Sequence, residues 1–137
     1  MNYLDDIRAH GKAANPFFCM MGIDIEEIGN GNARLSLQVR PDMMNGEGWL
    51  QGGIFTALAD EAMVLAIYSL LGEGESIATI SETTTFLSGV QKGALIADGR
   101  VIRKGRRVAF AEAEVKSEGG NPKILSRSQA AFAVSKK

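Results

Sequence analysis

At 137 residues, 45% of them hydrophobic and 23% charged, the chain is long enough to bury a core of its own and reads as one domain. A formal net charge of −1 supplies no basic field for nucleic acid or for an anionic membrane surface. A single cysteine, Cys19, and a single histidine, His10, exclude an intrachain disulfide framework, a cysteine-pair metal or redox motif and a multi-histidine metal site.

Residues 2–14 read as a short polar helix that Asn15-Pro16 breaks. The opening residues have neither the basic start nor the apolar run of a secretory signal, so a cytoplasmic location is expected. His10 is expected to be a solvated helix residue, and Cys19 to pack as a small hydrophobe. The apolar residues 17–21 are expected to tuck against the core. Residues 23–28 suit a first strand and Gly29-Asn30-Gly31-Asn32 a hairpin turn. Residues 33–40 alternate apolar and polar at period two, the pattern of a half-buried strand.

After a loop over 41–50, a helix is expected from Gly52 to Leu71, ended by Gly72-Glu73-Gly74. It is apolar on nearly every side, yet Asp60 and Glu61 near its middle argue against a membrane span. Such a helix can instead be wrapped by a sheet. Four further strands are expected over 77–87, 94–103, 108–117 and 124–134, with short turn-rich links that favour antiparallel neighbours. The order predicts an α+β fold, one long central helix wrapped by a curved antiparallel sheet of about six strands. No repeat or linker divides the chain. The whole of 1–137 is expected to be one domain, with 1–16 as an N-terminal helical extension.

The segment from Asn45 to Glu61 concentrates the chemistry. The Gly52-Gly53 pair opening the helix offers backbone N–H groups to an anion or a polarised carbonyl. A carboxylate among Ala, Leu, Ile and Met is costly to ionise and calls for a reason. Together they read as a candidate acyl-transfer site.

Asn45, Gln51-Gly52-Gly53 and Leu58-Ala59-Asp60 stand at the spacings of a motif that resembles the hotdog-fold acyl-CoA thioesterases, in the branch typified by the phenylacetate-degradation thioesterase. The resemblance covers about residues 17–134 and implies the hotdog fold, hydrolysis of an acyl-CoA thioester, no metal or separate cofactor, and assembly as dimers or dimers of dimers. The histidine usual before the glycine pair is Gln51 here, which can donate and accept a hydrogen bond but cannot titrate near neutral pH.

In this reading Gly53 N–H stabilises the carbonyl oxygen, and Asp60 acts as general base or as nucleophile. Burial is expected to raise the Asp60 pKa. Asn45 is expected to hold the thioester or the attacking water, or else to be a turn residue. Glu61, about 100° round the helix, is a second candidate acid or an ion-pair partner. Gly52 is placed at the substrate with Trp49, which with Met43 and Met44 would line an acyl pocket or pack in the core. Period two puts Thr79, Ser81, Thr83 and Thr85 on one strand face, where some relatives hold a hydroxyl near the water, and Thr79 or Thr83 would serve. The turn Arg103-Lys104-Gly105-Arg106-Arg107 would, by the resemblance, meet the phosphates of CoA.

Gly53 and Asp60 stand seven positions apart, about 10 Å along one helix. One thioester carbon is too small to touch both, so the site is expected at a twofold interface, Gly53 of one protomer facing Asp60 of the other. The alternative is a hotdog protein that binds an acyl-CoA or a small ligand without turnover.

Overall fold

The computed structural model describes residues 2–136. Helix α1 (Tyr3–His10) starts from a reciprocal cap, Asp5 N–H donating to Asn2 Oδ1 at 2.9 Å and Asn2 N–H to Asp5 Oδ2 at 3.1 Å. It buries Leu4 and Ile7, and a short 3-10 turn (Gly11–Ala14) follows. Asn15-Pro16 not only ends this segment but starts another helix, α2 (Pro16–Met21). The Asn15 side chain accepts from Phe17 and Phe18 N–H, Pro16 fits the first turn, and Gly22 closes the end at φ +76°. Helix α2 drives Phe18 fully into the core but leaves Cys19 exposed, contrary to the expectation that it packs.

Strands β1 (Ile23–Gly29) and β2 (Asn32–Gln38) form the expected hairpin, turning through Asn30 and Gly31, both at positive φ. Helix α3 (Gly52–Tyr68) ends one turn sooner than expected. Ser69 donates its hydroxyl to Ala66 O at 2.6 Å and accepts Gly31 N–H at 2.8 Å, which ties the helix end to the β1–β2 turn. Strands β3 (Glu75–Phe86), β4 (Ala94–Lys104), β5 (Val108–Ser117) and β6 (Ile124–Lys136) complete one six-stranded antiparallel sheet of order β1-β2-β4-β5-β6-β3. One link departs from the neighbour expectation: β3 and β4 do not pair. Residues 87–93 carry the chain from the sheet edge to its interior, held by Leu50 N–H on Val90 O and Val39 N–H on Gly93 O, both 2.9 Å.

The sheet wraps α3 closely because the middle of β4 and β5 presents small side chains. Ala97, Ala109, Ala111 and Ala113 are buried against the helix. At Gly99 the approach is closest, and a Cβ there would stand 2.5 Å from the Ala62 carbonyl oxygen. The helix answers with Phe55, Leu58, Met63, Leu65 and Ile67, each buried. Burial of one such side chain is worth about 1.5–3 kcal/mol.

The outer face is polar in cross-strand rows: Arg34, Asp98, Glu114 and Arg127 in one, Asn32, Arg100, Glu112 and Gln129 in the next. Arg34 Nε meets Asp98 Oδ1 at 2.7 Å, Lys116 Nζ meets Asp98 Oδ2 at 3.0 Å, and Arg100 pairs with Glu112. These rows line a concavity of about 580 Å³. Among the described residues no helix is long and apolar enough to cross a membrane.

Candidate active site

The N-terminus of α3 lies at one end of the site. Gln51 has extended backbone angles and caps the helix itself, its Oε1 accepting Gly53 N–H at 2.6 Å. The Gly53 donor, expected to stand open, is therefore occupied by the residue beside it. Gly52 lies beneath the Phe86 ring, where a Cβ would come within 3.2 Å of it. Phe86 meets Phe55 edge-on at 6.3 Å, and Trp49 lies against Gly89. Phe86 and Trp49 remain 56% and 43% exposed, so an open aromatic rim surrounds this helix end. Met43, by contrast, belongs to the core. Asn45 holds the loop before the helix, its Oδ1 accepting Glu47 N–H at 2.9 Å and Trp49 N–H at 3.1 Å. The turn role of Asn45 is thus filled through its oxygen, with the amide nitrogen taking no part.

Two turns along α3, Asp60 is half-buried and accepts a hydrogen bond from Thr79 Oγ1 at 3.2 Å. Burial pushes its pKa above the ordinary aspartate value, and the Thr79 bond opposes that in part. Glu61 looks instead toward the N-terminal segment, where Tyr3 feels its charge. It is raised to about 7, first by burial and then by the charge of Asp60, with the Asn15 side chain opposing. Of the two roles left open for Glu61, the ion pair is not formed: among the described residues no cation bridges it.

The threonine-rich strand is arranged differently from its simple alternation. β3 bulges between Thr79 and Ser81, Ile80 being the extra residue. Beyond the bulge the faces exchange, so Glu82 and Thr84 join Thr79 toward α3. Ser81, Thr83 and Thr85 turn outward. Thr83 stands opposite Gln129 and Thr85 opposite Arg127, in the outer polar rows. Thr83 is thus removed from the site and Thr84 takes its place, bonding Thr56 on α3 at 3.1 Å and buried Ser128 on β6 at 2.8 Å. Glu82 is the residue sequence reasoning missed. Among the described residues its buried Oε2 has no hydrogen-bond partner, and burial, then the charge of Asp60, raise the Glu82 pKa to about 7 against Thr84 and Ser128. The only hint in the sequence is an acid set in a run of β-branched strand residues.

The basic turn closes the β4–β5 hairpin, Gly105 N–H donating to Val108 O at 2.9 Å. Lys104 is committed to structure, its Nζ 3.0 and 3.1 Å from the Glu75 carboxylate. Gly72 N–H and Lys104 hold the Glu75 pKa below its ordinary value. Arg103, Arg106 and Arg107 are exposed. Glu75 starts β3 four residues before Thr79, so the turn lies about 13 Å from the Asp60 site along the strand. Among the described residues no three His, Cys, Asp or Glu side chains gather as a metal site.

The profile of the Thioesterase superfamily matches residues 47–123, which include Gln51, Gly53, Asp60, Thr79, Glu82 and the basic turn. A candidate esterase of Halobacterium salinarum is 34% identical over 119 residues, covering 83% of this chain and 73% of that protein. The 1,4-dihydroxy-2-naphthoyl-CoA hydrolase of Listeria monocytogenes is 26% identical over 117 residues, covering 85% and 94%. A phenylacetic acid degradation-related protein of Ralstonia eutropha shares the fold, with a TM-score of 0.85 at 23% identity over 96% of this chain and 99% of that one.

Proposed function

From the premise that this chain belongs to the thioesterase superfamily and has its hotdog fold, we propose that it hydrolyses an acyl- or aryl-acyl-CoA thioester to the free acid and CoA. The observation that carries the reading is Asp60: a half-buried carboxylate, raised by burial, oriented by Thr79 and set in the middle of an apolar helix. A carboxylate so placed is a stronger base than a solvated one and is positioned to deprotonate water or to attack the carbonyl. Gly53 N–H stabilises the oxygen that gains charge, after Gln51 releases it. Asn45 and Gln51 orient the thioester through their amides. Gly52, Phe86 and Trp49 border the acyl group. Arg103, Arg106 and Arg107 meet the phosphates of CoA, about 13 Å away, a span the pantetheine arm bridges.

The separation of Gly53 from Asp60 calls for a homodimer, and the sheet offers a means. β3 is a 12-residue edge strand whose outer side pairs with nothing among the described residues, and Ile80 on it is 59% exposed. Joining two such edges would satisfy both and lay the two α3 helices side by side. A tetramer would then be a dimer of these dimers.

The test is release of free CoA thiol over straight-chain acyl-CoAs, benzoyl-CoA and phenylacetyl-CoA. Turnover of at least one is expected, with Asp60→Ala losing about 1000-fold in kcat. Wild-type rates in Asp60→Ala would sink the mechanism. The Gln51 cap on Gly53 favours a second reading, an acyl-CoA binder without turnover. Tight binding with no thiol release from any of these compounds would decide for it.

A further inference from the structure

The inner face of β3 holds an acid that the mechanism above does not use. Thr79 bonds Asp60 and Thr84 bonds Thr56, which sets Glu82, between the two threonines, opposite the helical turn between Thr56 and Asp60. Its cross-strand neighbours on this face are Ala130 and then Ala111, which carry no polar side chain, and among the described residues its buried Oε2 finds no donor. Left ionised, such an oxygen is costly; protonated, it is a donor facing the space beside Asp60. Asp60 is the charged group that faces Glu82 from α3, while β6 offers Ser128 and β3 offers Thr84, both uncharged. Two carboxyls so placed favour one negative charge between them.

We propose that Glu82 is the general acid of the site, giving its proton to the sulfur of the departing thiol. This rests on the hydrolysis reading above. Asp60 takes a proton from water as the water oxygen bonds to the carbonyl carbon. The adduct collapses, the C–S bond breaks, and sulfur takes the bonding pair and the proton of Glu82. The acid and the thiol leave. The proton on Asp60 then passes to the Glu82 carboxylate, and both groups are restored. An alkyl thiolate such as that of CoA is a poor leaving group and gains most from this proton, whereas an aryl thiolate leaves unaided.

The experiment compares Glu82→Gln on two esters: the acyl-CoA that wild type hydrolyses fastest and the S-phenyl ester of the same acid. A general acid predicts about 100-fold lower kcat on the CoA ester and a change within about threefold on the phenyl ester. Because the phenyl ester reports on the same folded variant, misfolding cannot imitate that split. Glu82→Asp should recover part of the rate on the CoA ester. Since Glu82 must be protonated, wild-type kcat on the CoA ester should fall as pH rises through about 7, and that limb should vanish in Glu82→Gln. Equal losses on the two esters, an unchanged rate, or an alkaline limb that survives in Glu82→Gln would overturn the proposal. A wild type that releases thiol from neither ester would instead remove the hydrolysis reading, and this inference with it.

Discussion

Helix α3 rests on two unlike surfaces. Against β4 and β5 it meets a bed of Ala97, Gly99, Ala111 and Ala113. Against β3 and β6 it meets a seam of Thr79, Glu82, Thr84 and Ser128, in which Thr79 bonds Asp60 and Thr84 bonds both Thr56 and Ser128. The bed maximises contact and excludes water, whereas the seam tolerates a raised carboxylate and an unpaired oxygen at an open sheet edge. Stability and the proposed chemistry are therefore drawn from opposite flanks of one helix, and each should be open to perturbation without the other.

The hardest blow to the bed is Gly99→Val. Three carbons have no room beside the Ala62 carbonyl, and about 3 kcal/mol of stability should be lost, read by urea unfolding. Activity of the fraction that stays folded should persist. At the seam, Thr79→Val should leave unfolding nearly unchanged but lower kcat about tenfold by losing one oriented hydrogen bond. Because that bond lowers the Asp60 pKa, its loss should move the acid limb of the rate profile to higher pH. Thr83→Val, on the outer face, should do neither; an effect equal to that of Thr79→Val would refute the bulged register. The smallest expected effect is at Glu61. Its folded pKa of about 7 lies above the ordinary 4.5, so the folded state holds the proton more tightly. Stability should decline as pH rises from about 4.5 to about 7 and stay flat above. Glu61→Gln should accordingly raise the melting temperature by a few degrees at about pH 8 and change little at about pH 4.

The bed was legible because it follows from periodicity. Alternation in β2, β4 and β5 and the apolar length of α3 leave few ways to bury both, and the Asn30-Gly31 turn has one preferred geometry. The glycine pair at a helix start and Asp60 among apolar residues stood out as placements that call for a reason. The seam was not, since it depends on one unpaired residue, Ile80, whose insertion exchanges the faces of everything after it. Nothing in Thr79-Ile80-Ser81 distinguishes a bulge from continuous alternation, because the choice is made by pairing with β6. Likewise, that Lys104 would serve Glu75 while its neighbours stay exposed depends on where β3 begins beside the hairpin. The exposure of Cys19 follows from α2, a helix that Asn15 caps and whose first turn Pro16 fits.

The Gln51 side chain gives the helix N-terminus a resident occupant. In the proposed hydrolysis a substrate carbonyl would reach Gly53 by exchange, one amide oxygen leaving as another oxygen arrives, and what would count is the difference between two hydrogen bonds. A developing oxyanion is the better acceptor, so such an exchange would favour the transition state over the bound ester. On that proposal Gln51 would return as product departs, and the Gly53 N–H would not be left unsatisfied between turnovers.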